Sequence, residues 1–235
     1  MLGSINLSGG WIIRSCNETA VCRNPLTNLR GSSGRIMGER DFLNASDPFL
    51  LLKQWIEDAA RTEPCYADAA QLATVDAEGM PNVRTVLIRE YGADGLVFYT
   101  NCRSAKGREL LATRKGALLF YWKSLSRQIR LRGPVDPVDD ETADAYFASR
   151  PRLSRIGAHA SRQSEPMESR KALEMRVREF EALYADADVP RPSYWSGFRL
   201  TPVCIEFWQE GPFRMHDRLQ FSRIGNTWSS QLLYP

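Results

Sequence analysis

The stretch QLATVDAEGMPNVRTVLIR, residues 71–89, decides the fold class. Gln71–Val75 and Val83–Arg89 are short runs rich in β-branched and aliphatic residues, and between them lies Asp76-Ala77-Glu78-Gly79, a cluster of turn formers. Two such runs joined by so short a connection predict antiparallel strands, because a parallel pair needs a crossover of a dozen or more residues. Outward from it the pattern continues. Leu96–Thr100 follows the turn-rich Tyr91–Gly95, and strands are predicted at Ala117–Trp122, Arg127–Gly133, Val203–Trp208, Met215–Ser222 and Thr227–Leu233. Helical spacing interrupts them. Ser46-Asp47-Pro48 is a helix-start signal ahead of an apolar stripe at Phe49, Leu52, Trp55, Ile56 and Ala59. Further helices are predicted over Ser104–Ala112, Asp139–Arg150 and Met167–Tyr184. The expectation is a mainly β fold with α attachments (α+β): a small antiparallel barrel carrying helices, and not a doubly wound parallel sheet. No GxGxxG or P-loop glycine pattern occurs, which disfavours the common nucleotide-binding folds.

The 235 residues divide into residues 1–40, rich in Gly, Ser, Asn and Arg without sustained periodicity, and one domain over residues 41–235. The first segment is expected to be a disordered N-terminal extension. Hydrophobic content of 43% supports an ordinary core, and a net charge of +3 demands no nucleic-acid or membrane partner. Of 31 Lys and Arg residues only five are lysine, so arginines must be argued position by position. Five scattered cysteines form no CxxC pair, and only two histidines are present. Reduced thiols and a cytoplasmic location are expected, with no metal centre. No apolar run reaches membrane-spanning length.

Four segments combine anion-binding and stacking residues. Alternation in Arg84-Thr85-Val86-Leu87-Ile88-Arg89 puts Arg84, Val86 and Ile88 on one strand face and Thr85, Leu87 and Arg89 on the other. The two arginines either reach anions or are solvated edge residues. Phe98-Tyr99-Thr100 leads into a Ser104-capped helix carrying Lys106, a combination suited to phosphate but equally that of an ordinary capped helix. Gln128, Arg130 and Arg132 share a face that is either solvated or able to bond a heterocycle edge. Arg214, His216 and Arg218 alternate onto one predicted strand face. Three cationic or titratable groups in a row are costly without an anionic or electron-rich ligand.

Taken together with YFASRPRLSRIG, SRQS, PSYWSGFR, IEFWQ and RMHDR, these stretches resemble the pyridoxamine 5′-phosphate oxidase family from about Phe42 to Pro235. The resemblance implies an FMN-binding split β-barrel that forms a homodimer with FMN at the subunit interface. It implies FMN contacts at Arg84, Thr85, Val86, Leu87, Ile88, Arg89, Tyr99, Thr100, Lys106, Gln128, Gln163, Ser164, Trp208 and Arg218. Substrate contacts are implied at Arg89, Tyr146, Arg150, Ser154, Arg214 and His216, the last two as catalytic residues. The substrate is a phosphorylated B6 vitamer. The implied chemistry moves a hydride equivalent from substrate C4′ to N5 of FMN, and oxygen reoxidises the flavin to give hydrogen peroxide. Three positions depart from the family pattern: Arg89 stands for a usual lysine, Ala105 for a longer polar residue, and Leu232 for an arginine. The rival readings are a related flavin oxidase acting on another ring, such as the phenazine-pathway relatives, a flavin or pyridoxal-phosphate binder without turnover, and an Arg-rich nucleic-acid binder. Tyr146, Arg150 and Ser154 together favour a phosphorylated substrate over the first of these.

Overall fold

A computed structural model describes residues 41–235; the expectation for residues 1–40 lies outside them. The chain runs α1 (Pro48–Thr62), β1 (Ala69–Val75), β2 (Pro81–Leu87), β3 (Glu90–Gly92), β4 (Gly95–Asn101), α2 (Ala105–Thr113), β5 (Lys115–Trp122) and β6 (Arg127–Pro137). It continues through α3 (Asp140–Ser149), α4 (Arg152–Ala160), α5 (Arg170–Leu183), β7 (Trp195–Leu200), β8 (Cys204–Gln209), β9 (Asp217–Ile224) and β10 (Thr227–Leu232).

Every strand pair is antiparallel, as expected. The main path is β10-β9-β8-β6-β5-β1-β2, and β7 joins β6 to the β4–β3 hairpin. Strand β6 curls the sheet. Its first half pairs with β8, its last residues pair with β7, and β5 accompanies it from Arg127 to Pro134. Gly133 sits at that change of partner, where a Cβ would meet the Thr201 carbonyl oxygen at 2.0 Å, so only glycine lets the two backbones approach.

Alternation fills the core. On β5 Leu118, Phe120 and Trp122 point inward, and on β6 Ile129 and Leu131 do the same. Helix α1 closes one end with Leu51, Leu52, Trp55, Ile56 and Ala59, while Phe49 stays only partly buried. Asp47 caps α1 by accepting from the Phe49 and Leu50 amides. Trp55 makes edge contacts with Phe42 and Phe207. Each such fully buried side chain stabilises the fold by roughly 1.5–3 kcal/mol. Buried Asp58 of α1 pairs with Arg127 of β6 at 2.9 Å, and that guanidinium lies over Trp55.

Three elements escaped the sequence reading. Glu90–Gly92 is a strand that narrows the predicted turn to Ala93-Asp94. Helix α4 begins directly after Pro151 and is only nine residues long; Leu153, Ile156 and Ala160 stand at helical spacing along it, and Ile156 and Ala160 are buried. Strand β7 is a six-residue run whose Gly197 and Ser196 blunt its β signal. Among the predicted ends that move, two bear on the site. Strand β2 stops at Leu87, short of Ile88 and Arg89, and β9 starts at Asp217, so Arg214 and His216 are not strand residues. Among the described residues no helix is long and apolar enough to cross a membrane.

Candidate functional site: a cationic cleft and a separate aromatic face

Most of the site residues inferred from sequence fall into two groups, and the first lines a cleft of about 470 Å³. Thr85, Val86, Leu87 and Arg89 come from the end of β2 and just beyond it. Tyr99 and Thr100 come from β4, Lys106 from α2, Tyr146 and Arg150 from the end of α3, and Ser154 from α4; Gln163 closes the rim. Arg150 follows the last residue of α3, and Pro151 starts the next helix, so the chain turns there. Arg150 lines the cleft from that turn, and Ser154, Gly157 and Ala158 of α4 line it with Ser161 just beyond.

Charge at one end of the cleft is positive and poorly solvated. Arg150 lies over the rings of Trp195 and Phe147, with its guanidinium carbon 4.7 and 5.5 Å from the two centroids. Its Nη1 is buried and has no hydrogen-bond partner. Burial holds its pKa below the ordinary arginine value; neighbouring Tyr146 works against the shift, and the charge of Arg89 adds to it. Arg89 is held by Asp68, whose Oδ2 lies 2.9 Å from Nη1. The Tyr146 ring stacks on Tyr99 at 3.8 Å, and both are nearly parallel to Trp195. The Tyr99 hydroxyl donates to Glu90, and burial and that bond raise its pKa.

At the other end, Lys106 Nζ donates to Thr100 Oγ1 at 3.2 Å, Ser104 Oγ at 3.3 Å and Gln163 Oε1 at 3.1 Å. Ser104 caps α2 through the Gly107 amide, as expected. Burial, then the nearby Arg84, lowers the lysine's pKa, and Glu109 works against them. A desolvated ammonium with only neutral acceptors favours an anion.

Two residues of the first expected segment sit elsewhere. Arg84 does not line the cleft; its guanidinium donates to Leu72 O, to Thr74 Oγ1 and to Glu109 Oε2. Ile88 is 2% exposed in the core, and its amide is spent on the Asp68 carbonyl, so it supports the wall from behind.

The second group lies on another surface. Gln128 of β6 sits opposite Trp208 of β8, which sits opposite Arg218 of β9. Arg218 is clamped to buried Glu206 at 2.9 Å and donates to the Tyr234 carbonyl. The predicted strand through Arg214 and His216 is instead a tight turn. Phe213 and Arg214 both adopt positive φ, at 55° and 64°. A Cβ on Gly211 would meet the Met215 carbonyl oxygen at 1.9 Å. For non-glycine residues such backbone costs of order 1 kcal/mol or more, and it turns His216 onto Trp208 with ring centroids 4.7 Å apart. His216 Nδ1 accepts from the Gly211 amide at 3.3 Å, which in the neutral ring puts the proton on Nε2. Phe213 is 91% exposed beside it. Ser164, also at positive φ, lines a neighbouring groove with Met167 and α5. Leu232 is exposed, and Ala105 opens α2 without adding a polar group.

Sequence reasoning missed Asp68, Asn101, Ser161 and Trp195. Trp195 was visible within PSYWSGFR, but its role depends on β7 and α3 packing together.

Comparison with known proteins agrees with this architecture. Residues 56–184 match the family described as pyridoxamine 5′-phosphate oxidase. Residues 195–235 match its pyridoxine 5′-phosphate oxidase C-terminal dimerisation region. A pyridoxine/pyridoxamine 5′-phosphate oxidase of Chelativorans sp. (strain BNC1) is 56% identical over 198 residues, 84% of this chain and 95% of that protein. The protein of the same name from Brucella canis is 55% identical over 197 residues, 83% of this chain and 97% of that protein. The crystal structure of PhzG from Burkholderia lata 383, in complex with tetrahydrophenazine-1-carboxylic acid, has a TM-score of 0.77 at 32% identity. It covers 87% of this chain and all of its own. A pyridoxamine 5′-phosphate oxidase-related, FMN binding protein from Nostoc punctiforme shares the fold, with a TM-score of 0.66 at 20% identity over 81% of this chain and all of its own. With the fold, the cationic cleft and these matches in agreement, this chain belongs to the pyridoxamine 5′-phosphate oxidase family.

Proposed function

We propose that the protein is a cytoplasmic, homodimeric oxidase that converts pyridoxamine 5′-phosphate or pyridoxine 5′-phosphate to pyridoxal 5′-phosphate. FMN is its cofactor and oxygen its electron acceptor, with hydrogen peroxide as the second product. The observation that carries this reading is the pair Arg89 and Arg150 lining one cleft, with the Arg150 guanidinium partly desolvated over Trp195. Arg89 keeps one nitrogen on Asp68, and the planar forks of Arg89 and Arg150 lining one cleft suit a phosphate dianion, which accepts charge-assisted hydrogen bonds.

The residues also fit FMN. Lys106 supplies the cation for its phosphate, Thr100 and Gln163 supply neutral polar groups, and Thr85–Leu87 offer a strand edge along which a flat ring can lie. Bound FMN supplies the electron acceptor for oxidation at substrate C4′. The chain's own residues bind and orient. Arg89, Arg150, Tyr146 and Ser154 fix the phosphate end of the substrate, which sets the distance from that anchor to the reacting carbon. Trp195 and Tyr99 brace Arg150 and Tyr146, so the anchor is rigid.

Arg214 and His216 act on the pyridine ring, with His216 Nε2–H as an outward donor. In one chain they stand apart from the cleft. They fall, with Trp208 and Arg218, inside the region matched as a dimerisation region, which supports a second copy supplying them. The relationship to PhzG favours a second reading, oxidation of a carboxylated ring. The paired arginines with Tyr146 and Ser154 suit a phosphate better.

Anaerobic mixing of the FMN-loaded protein with pyridoxamine 5′-phosphate tests the proposal. Flavin bleaching that oxygen reverses, with pyridoxal 5′-phosphate formed, is expected. A yellow protein that bleaches with neither the amine nor the alcohol substrate rules the reading out.

A further inference from the structure

We infer that Asp68 is a positioning residue for substrate phosphate: its buried carboxylate holds one nitrogen of the Arg89 guanidinium so that the others face the cleft. This deepens the proposed function and rests on it.

Asp68 is 5% exposed and lies just before β1, outside the cleft lining. Its Oδ2 is 2.9 Å from Arg89 Nη1, and among the described residues the Arg89 side chain makes no other hydrogen bond. The guanidinium is a planar fork, so fixing one nitrogen fixes the direction of the remaining N–H groups. Arg89 lines the cleft with Arg150, and two cations in one pocket repel. Without a tether the Arg89 side chain would swing towards solvent and leave the anion subsite half built.

A purely structural staple is a poorer account of the carboxylate. The backbone here is already fastened: the Asp68 carbonyl accepts from the Ile88 amide at 2.8 Å, and the Trp122 indole donates to the Ala67 carbonyl at 3.0 Å. The Arg89 amide bonds the Val97 carbonyl at 2.8 Å. Both ends of the ion pair are thus held by main-chain bonds, and what the carboxylate adds is the aim of the side chain. A rigid base and a rigid root make the tether sensitive to length.

The test uses FMN-loaded Asp68→Asn and Asp68→Glu, with kcat and KM measured for pyridoxamine 5′-phosphate and inhibition measured with inorganic phosphate. Asp68→Asn removes the charge at constant shape. It should raise KM and the phosphate inhibition constant together by about tenfold, with kcat within about twofold and FMN retained. Asp68→Glu moves the carboxylate by one methylene from a fixed backbone and should raise both by roughly threefold. It decides the question alone if Asp68→Asn fails to fold. Unchanged KM and phosphate inhibition in the folded variants, even with a lower melting temperature, would make Asp68 a staple and overturn the inference. Absence of turnover in the wild-type protein would instead bring down the oxidase reading, and this inference with it.

Discussion

The cleft and the aromatic face contain similar residue types, yet they are built differently. In the cleft, Arg89 and Arg150 are partly desolvated, set by Asp68 and Trp195, and one buried donor has no partner. On the face, Arg218 shares buried Glu206 with Arg130, His216 leans on Trp208, and Phe213 projects into solvent from strained backbone. The cleft gathers cationic groups around a cavity, whereas the face presents an exposed ring on a strained turn. Under the proposed function, a site divided in this way would put affinity for the phosphate in one half and orientation of the reacting ring in the other.

That division can be broken by mutation. Arg150→Ala should have the largest effect, raising KM for pyridoxamine 5′-phosphate by roughly 10–100-fold, the worth of charge-assisted hydrogen bonds to a phosphate. Steady-state kinetics checks it, and an unchanged KM would show that the cleft is not the phosphate half. His216→Ala should lower kcat by about tenfold while KM for the phosphate changes little. Absorbance of the purified protein should show full FMN occupancy. Loss of flavin together with activity would move His216 into cofactor binding.

The comparison is sharpened by mixing these two variants after dissociation and reassociation. If each site combines the cleft of one protomer with the face of the other, a mixed dimer holds one intact site. At low substrate the mixture should then recover roughly a quarter of wild-type activity, a few-fold above the mean of the two variants. Activity equal to that mean would show that each chain carries both halves of its own site.

Much of the cleft was legible because its clues are local. Tyr146 lies near the end of α3 and Arg150 follows that helix four residues on, Ser104 caps the helix that bears Lys106, and the short turn after Val75 forces an antiparallel pair. The aromatic face was read less well. Strict alternation through Arg214, His216 and Arg218 suggested a continuous strand, but positive φ at Phe213 and Arg214 bends the chain first. No residue-type signal announced it, since glycine stands at 211 instead. Arg84 misled for another reason. Its partner Glu109 lies 25 residues away on α2, and nothing in a strand's period reveals which carboxylate will neutralise an arginine.

The sequence by itself determined the antiparallel β class, the capped helices, the family and most of the residues that line the cleft. The class and the helices follow from periods of 2 and 3.6 residues, and the family and the cleft residues from the resemblance carried jointly by motifs along the chain. Tertiary structure alone decided that β6 would serve two partners, that Asp68 would aim Arg89, and that the inferred site residues would fall on two separate surfaces. Those outcomes depend on which distant groups the curled sheet brings within a few ångströms, and burial and charge pairing are settled only at that range.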